Sequence, residues 1–240
     1  MKKRVWLIIL CVAAVISVVA GAIICFLCFR PEDNNPDLES EEVYRPTLEE
    51  FYEVIASPEN ADDLYDGLGC VREAALVFGD EALDKLGYVF EDVNDDGKEE
   101  VFIGCFEAGT SEGVNNDIYA AFTHDGNELI PLFEKQKRNT FALTDTGTVY
   151  FYGSDEKDYY ILAEYELTDT GLVCKDFYFT YPKSTGESRS FGYYHNTTGE
   201  WDPEGSEELQ MTLDEFEELR KELAKRTVPL DDVKFSEVGK

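Results

Sequence analysis

Residues 87–106 of the chain read GYVFEDVNDDGKEEVFIGCF. Two apolar runs rich in aromatic and β-branched residues lie on either side of an acidic Asp/Asn/Gly segment, residues 92–100. Such runs favour strands, and Asn, Asp and Gly tolerate the backbone angles of a chain reversal. The stretch therefore predicts a strand–loop–strand unit.

The same alternation of apolar runs and turn signals continues after this unit. Asp125-Gly126, Asp145-Thr146-Gly147 and Asp169-Thr170-Gly171 recur 20 and 24 residues apart, the pitch of consecutive hairpins. Two sets of four strands would resemble two propeller blades, but two blades cannot close a propeller. This favours one curved or open antiparallel β-meander covered by helices. Its predicted strands are residues 87–92, 100–106, 117–123, 128–134, 139–144, 148–153, 158–167 and 172–180.

Helices are predicted before and after the meander, which makes the fold class α+β. Thr47-Leu48-Glu49-Glu50 has the spacing of a capping box, and apolar residues follow it at helical intervals to about Leu86. Breaks are expected near Pro58 and near Gly67 and Gly69.

A second capping box, Thr212-Leu213-Asp214-Glu215, predicts a helix near the C-terminus. Its apolar stripe consists of Leu213, Phe216, Leu219 and Leu223, and it should pack on the sheet. Residues 228–238 are predicted to be a final extended segment.

The N-terminal residues predict a membrane segment. Val5–Phe29 contains 25 residues without a charge and would reach about 37 Å as a helix, more than the roughly 30 Å of a hydrocarbon core. Lys2, Lys3 and Arg4 precede it, so the positive-inside bias keeps the N-terminus in the cytoplasm. The sequence thus predicts a single-pass cell-membrane protein. It has an N-terminal transmembrane anchor (1–30), an acidic linker (31–45) and an extracytoplasmic α+β domain (46–240).

Two alternatives to an uncleaved anchor remain open. Ala20-Gly21-Ala22 offers a signal-peptidase site, although cleavage there would leave an apolar new terminus beginning at Ile23. Acylation of Cys25 or Cys28 would make the protein a lipoprotein, although bulky residues precede both cysteines.

Charge excludes one class of partner. The chain has 21 basic and 51 acidic residues; four of the basic residues and none of the acidic ones lie in the first 30 positions, so the remainder carries 17 − 51 = −34. A nucleic-acid partner is excluded because phosphate contacts need a basic face. The expected partners are the membrane, through residues 5–29, and a protein or glycan ligand.

The acidic segment has the pattern of a cation site. Asp92-Val93-Asn94-Asp95-Asp96-Gly97-Lys98-Glu99-Glu100 is a D-x-N-x-D-G-x-x-E loop. Oxygen side chains at positions 1, 3 and 5 converge on one hard cation as the backbone curls, and Gly at position 6 permits the sharp turn. Unlike an EF-hand, the loop has Glu99 at position 8, Ile103 at position 12 and strand-like flanks.

This loop resembles the strand–loop–strand calcium sites of FG-GAP and integrin-propeller repeats. The resemblance implies one Ca²⁺ held by the side chains of Asp92, Asn94, Asp96 and Glu100 and by the carbonyl of Lys98. In those repeats position 9 is usually Asp, so Glu100 is a longer variant. A metal-free Asn/Asp/Gly hairpin turn is the alternative.

A wider stretch, about residues 87–238, resembles surface proteins of Gram-positive bacteria that are anchored by a lipobox or a membrane helix and have no assigned activity. The features that carry this resemblance are the loop with its flanking strands, the hairpin meander and the terminal T-x-x-E-F-E helix.

Enzyme and disulfide signatures are weak. The chain contains no G-x-S-x-G, H-E-x-x-H, Walker A or G-x-G-x-x-G motif, and His124 and His195 are predicted to be surface polar residues. Tyr193, Tyr194 and Trp201 have the chemistry to stack on sugar rings, but packing is their commoner role.

The cysteines beyond the apolar run allow at most one disulfide and predict no zinc site; they are Cys70, Cys105 and Cys174.

The sequence therefore predicts a non-enzymatic binding or cell-envelope module with one structural calcium site. The alternative is a cell-surface hydrolase that acts on glycan or peptide through a pair of carboxylates, which would lie roughly 5–9.5 Å apart in a cleft. A third possibility is an anchored subunit of a membrane complex.

Overall fold

The computed structural model describes residues 36–61, 66–107, 113–125, 129–154, 159–183 and 190–238. The predicted membrane segment, Val5–Phe29, lies outside these ranges. None of the helices within them has the length and apolarity needed to cross a membrane. The chain separates into two compact units, Met1–Glu39 and Ser40–Lys240. The second unit contains every strand described below.

The β-structure is a meander that is divided into two antiparallel sheets. Sheet 1 has the strand order β11-β1-β2-β3-β4, and sheet 2 has the order β10-β9-β8-β7-β6-β5. The strands are β1 (Gly87–Glu91), β2 (Glu100–Cys105), β3 (Asp117–His124), β4 (Leu129–Glu134), β5 (Thr140–Leu143), β6 (Thr148–Gly153), β7 (Ile161–Thr168), β8 (Gly171–Pro182), β9 (Phe191–Asn196), β10 (Glu207–Leu209) and β11 (Val233–Lys234).

The α+β class and the eight predicted strands are confirmed, but the single curved sheet favoured by the sequence is wrong. The chain leaves sheet 1 after β4 and begins sheet 2 with β5. The physical reason is visible in β2, where all six residues are buried. A strand that is buried on both faces needs a cover on each side, and sheet 2 covers one of them.

Four layers result from this arrangement. Helices α1 (Pro36–Ala56), α2 (Asp66–Phe78) and α3 (Ala82–Lys85) cover one face of sheet 1 through a shared apolar core. A second core joins the two sheets, with the rings of Phe133 and Phe141 stacked 4.6 Å apart. Helix α4 (Leu213–Ala224) covers the far face of sheet 2, where Phe216 is buried.

Helix α1 begins at Pro36, so the predicted start at Thr47 is wrong. Thr47 lies in the interior of the helix and is 9 % exposed, and residues 36–45 of the predicted linker are helical. Tyr44 is completely buried in the core next to sheet 1. Pro46 has no N–H and so cannot donate a backbone hydrogen bond within the helix. The free energy gained by burying Tyr44 on the same helix face as Leu48 and Phe51 offsets this loss.

The remaining helix predictions had mixed outcomes. The break near Pro58 is confirmed by a 3₁₀ turn, Pro58–Asn60, but Gly67 and Gly69 lie inside α2 and do not interrupt it. The capping box at Thr212 and Glu215 is confirmed, with reciprocal hydrogen bonds of 3.3 and 2.8 Å.

The predicted C-terminal extended segment is only partly strand. Val233–Lys234 pairs with β1, and a 3₁₀ turn, Phe235–Glu237, follows it. Leu213, which begins the predicted apolar stripe of α4, is 53 % exposed, so the buried face of that helix starts at Phe216.

Candidate functional site

The acidic loop connects β1 to β2, directly after the antiparallel pair formed by Glu91 and Glu100. Asp95 and Gly97 both have left-handed backbone angles, with φ values of 57° and 86°. Glycine adopts this conformation without cost, whereas Asp95 is one of two non-glycine residues in the described part of the chain that do so. The sharp turn predicted at Gly97 is therefore present.

Side-chain oxygens at the first, third and fifth loop positions turn toward the loop backbone. The Asp96 N–H donates to Asp92 Oδ1 at 3.1 Å and to Asn94 Oδ1 at 3.0 Å. Asp92 Oδ2 accepts from the Gly97 N–H at 2.9 Å, and Asp96 Oδ1 accepts from the Lys98 N–H at 2.8 Å. These bonds curl the loop around its own polar side chains and bring Asp92, Asn94 and Asp96 together, as the sequence predicts.

Glu100 lies beneath the loop with its side chain completely buried. Its carboxylate accepts from the Val93 N–H at 3.1 Å and from the Thr123 hydroxyl at 3.4 Å. Burial above all, and then the negative charges of Asp96 and Asp92, raise the pKa of the Glu100 carboxyl to about 7, although the Val93 hydrogen bond acts in the opposite direction. The loop thus concentrates negative charge over a buried acid.

Two other layers of the fold contact the loop. The Tyr44 hydroxyl of α1 donates to the Glu99 carbonyl at 2.8 Å. From sheet 2, Asp169 Oδ1 accepts from Asn94 Nδ2 at 3.2 Å. At Gly147, in the turn between β5 and β6, a β-carbon would lie 3.4 Å from the Val93 carbonyl oxygen. The loop therefore lies where helix α1, sheet 1 and sheet 2 meet.

Sequence reasoning missed Tyr44, Thr123 and Asp169 as neighbours of the loop. The sequence places Asp169 only in a turn, 75 residues beyond Asn94. No periodicity or motif connects residues at such separations, because only the pairing of the two sheets brings them together.

The donor set of the loop fits a hard cation in its chemistry. Its groups are carboxylate and amide oxygens, which Ca²⁺ prefers, and the buried Glu100 faces the charges of Asp92 and Asp96. Lys98 contributes its N–H to Asp96, and its ammonium lies 3.9 Å from Asp96 Oδ2. Within the described ranges no group of three His, Cys, Asp or Glu side chains is arranged to hold a metal ion.

Both histidines are half-buried, and their rings contact aromatic side chains. His195 Nε2 is 2.9 Å from Asp176 Oδ1, and its ring stacks on Tyr178 at 4.5 Å. The ring of His124 packs edge-on against Tyr44, with the centroids 5.6 Å apart.

The aromatic residues near the β9 strand are packing residues. Tyr194 stacks on Phe179, and Tyr193 packs on Phe216 of α4. Trp201 is 37 % exposed and donates its indole N–H to the Thr180 carbonyl at 3.0 Å. The predicted packing role of Tyr193 and Tyr194 is therefore confirmed.

The described residues also include three cysteines and a groove along α1. Among the described residues, Cys70, Cys105 and Cys174 form no disulfide, and Cys70 Sγ donates to the Lys135 carbonyl at 3.1 Å. A groove of about 660 Å³ along α1 is lined by two carboxylates, Glu50 and Glu53, one helical turn apart. Two acids one turn apart on the open side of a helix are common solvated side chains and do not by themselves indicate catalysis. The hydrolase that acts through a pair of carboxylates therefore stays a prediction.

Comparisons of the chain with protein-family models, with characterised proteins and with solved structures gave no match.

Proposed function

We propose that the chain is a membrane-anchored module of the cell envelope whose extracytoplasmic domain is stabilised by one calcium ion in the loop 92–100. The observation that carries the calcium site is the buried Glu100 beneath Asp92 and Asp96. Three acids placed in this way repel one another unless a cation or a proton compensates them.

Calcium suits this loop better than magnesium. Ca²⁺ accepts six to eight oxygen ligands in flexible geometry, whereas Mg²⁺ demands a near-ideal octahedron and retains its waters. Asp92, Asn94, Asp96 and Glu100, with the carbonyl of Lys98, would supply such oxygens. The ion's role is structural: it joins β1 to β2 and fixes the loop against α1 and sheet 2.

The N-terminal sequence supports both the membrane anchor and the placement of the domain on the outer side of the membrane. Residues 5–29 would span the membrane, and the three basic residues before them would keep the N-terminus inside. The ligand of the domain would then be a protein or glycan at the cell surface.

Protease added to intact, wall-stripped cells should digest residues 31–240. A mature chain beginning at Ile23, or an acylated Cys25, would contradict the anchor.

Thermal unfolding tests the calcium site. The full-length chain in a non-ionic detergent should melt at a higher temperature in Ca²⁺ than in chelator, and Mg²⁺ should substitute poorly. At a concentration 100-fold above the dissociation constant, binding adds about 2.7 kcal/mol to the free energy of unfolding. For an extracellular module that constant is commonly about 10⁻⁴–10⁻³ M.

Two variants make the test specific. Asp96→Ala should abolish the calcium-dependent rise, whereas Asp80→Ala, at an exposed position in a 3₁₀ turn outside the loop, should retain it. Equal melting temperatures of the wild type in calcium and in chelator would refute the metal assignment. A rise that survives Asp96→Ala would mean that the ion binds elsewhere on this acidic protein.

A further inference from the structure

The side chain of Asn94 bridges the acidic loop and sheet 2. Its Oδ1 accepts the Asp96 N–H at 3.0 Å, and its Nδ2 donates to Asp169 Oδ1 at 3.2 Å. Asp169 belongs to the Asp169-Thr170-Gly171 turn that connects β7 to β8. The two ends of one amide thus contact two different sheets.

These two contacts permit only one orientation of the amide. A half-turn about the last side-chain bond would place Nδ2 against the Asp96 N–H, donor against donor. The same half-turn would place Oδ1 against the Asp169 carboxylate, acceptor against acceptor. Asp169 therefore favours the orientation in which the amide oxygen points into the loop.

This orientation decides whether Asn94 can bind a cation. An amide offers Ca²⁺ one oxygen, and its NH₂ group cannot serve as a ligand. We propose that Asp169 is a positioning residue for Asn94: it belongs to the calcium site of the loop although it comes from the other sheet. This inference rests on the proposed calcium site and adds a residue that the D-x-N-x-D-G pattern does not contain.

The same contact makes calcium binding a link between the sheets. The loop belongs to sheet 1, while two of its neighbours belong to turns of sheet 2, Asp169 to the β7–β8 turn and Gly147 to the β5–β6 turn. An ion that holds Asn94 holds its partner in sheet 2 as well. Calcium therefore stabilises the packing of sheet 1 on sheet 2 in addition to the β1–β2 reversal.

Calcium titration by calorimetry tests the role of Asp169 in the full-length chain in detergent. Asp169→Ala should weaken calcium binding by about 10-fold or more, the usual loss when a residue that orients a metal ligand is removed. Asp169→Asn retains an oxygen that can accept from Asn94 Nδ2, so it should bind calcium nearly as well as the wild type. Asp80→Ala controls for the loss of one surface charge and should leave the affinity unchanged.

The outcomes separate this inference from the proposed function. No calcium binding by the wild type would refute the site itself, and the role of Asp169 with it. Wild-type binding with an unchanged affinity in Asp169→Ala would refute only the positioning role. An equal loss in Asp169→Asn and Asp169→Ala would also refute positioning, because it would show that the charge of Asp169 matters and its hydrogen bond does not. Melting of each variant in chelator checks that the fold is intact, and a loss of affinity that Asp169→Asn restores supports the proposal.

Discussion

At the scale of single residues, Glu100 is a buried acid with a raised pKa. It is completely buried, and its pKa is raised to about 7 from the ordinary 4.5. Between these two values the folded protein binds more protons at this site than the unfolded chain does. Stability from this group is therefore greatest below pH 4.5 and is lost as the pH rises toward 7.

Glu100→Gln should remove this loss, because the amide is neutral at every pH. In chelator, we expect the variant to gain stability relative to the wild type as the pH rises from 5 to 8, by on the order of 1–3 kcal/mol. Urea unfolding at both pH values measures the difference between the two proteins, so titrations common to both cancel. Glu59→Gln, at an exposed position, is the matched control and should follow the wild type. A constant difference between Glu100→Gln and the wild type at the two pH values would contradict the raised pKa.

At the scale of elements, Asn116 joins segments that are distant in sequence. It is completely buried directly before β3. Its Nδ2 donates to the carbonyls of Leu143, in β5, and Val228 at 3.2 and 2.7 Å, and its Oδ1 accepts the Leu143 N–H at 2.9 Å. One side chain thus ties sheet 1 to sheet 2 and to the segment that follows α4.

Asn116→Ala should destabilise the protein by at least about 2 kcal/mol, since each buried polar group left without a partner costs about 1–3 kcal/mol. Urea unfolding of the full-length chain measures the loss, with the exposed Asn60→Ala as the control. A loss below about 0.5 kcal/mol would mean that water replaces the amide and that Asn116 does not hold the elements together.

The elements also show how far sequence reasoning reached. The strands from β1 to β8 were predictable because apolar runs alternate with Asp/Gly turns, and α4 was predictable because Thr212 and Glu215 have capping-box spacing. The same signature misled at Thr47, where burial of Tyr44 extends the helix backward. Strands β9 and β10 were missed, the second because its three partly exposed residues carry no periodic signal, whereas β11 lies within the predicted extended segment, residues 228–238.

Part of the candidate site depends on the local sequence, and part depends on how distant elements pack. The curl around Asp92, Asn94 and Asp96 depends on contacts within five residues, so the pattern alone predicted it. The contacts with Tyr44 and Asp169 depend on how α1 and sheet 2 pack, and the division into two sheets was itself not predictable from the spacing of turns.

At the scale of the whole molecule, net charge dominates the behaviour of the part beyond residue 30. Its 17 basic residues can pair with only a third of its 51 acids, which leaves a charge of −34. Charge of one sign on a compact body repels itself and favours the unfolded state. Salt shortens the range of this repulsion from about 30 Å at 0.01 M to about 8 Å at 0.15 M.

Raising NaCl from about 10 to 150 mM should therefore raise the melting temperature of the full-length chain in chelator. If screening contributes about 1 kcal/mol, the rise is roughly 2–4 °C for a protein of this size. The rise should be the same in Asp96→Ala, because screening acts on the whole surface. By contrast, exchanging NaCl for CaCl₂ at constant ionic strength should raise the melting temperature of the wild type alone. A melting temperature that falls with NaCl would show that individual surface ion pairs, such as Lys221–Glu218 at 2.7 Å, outweigh the repulsion among the unpaired acids.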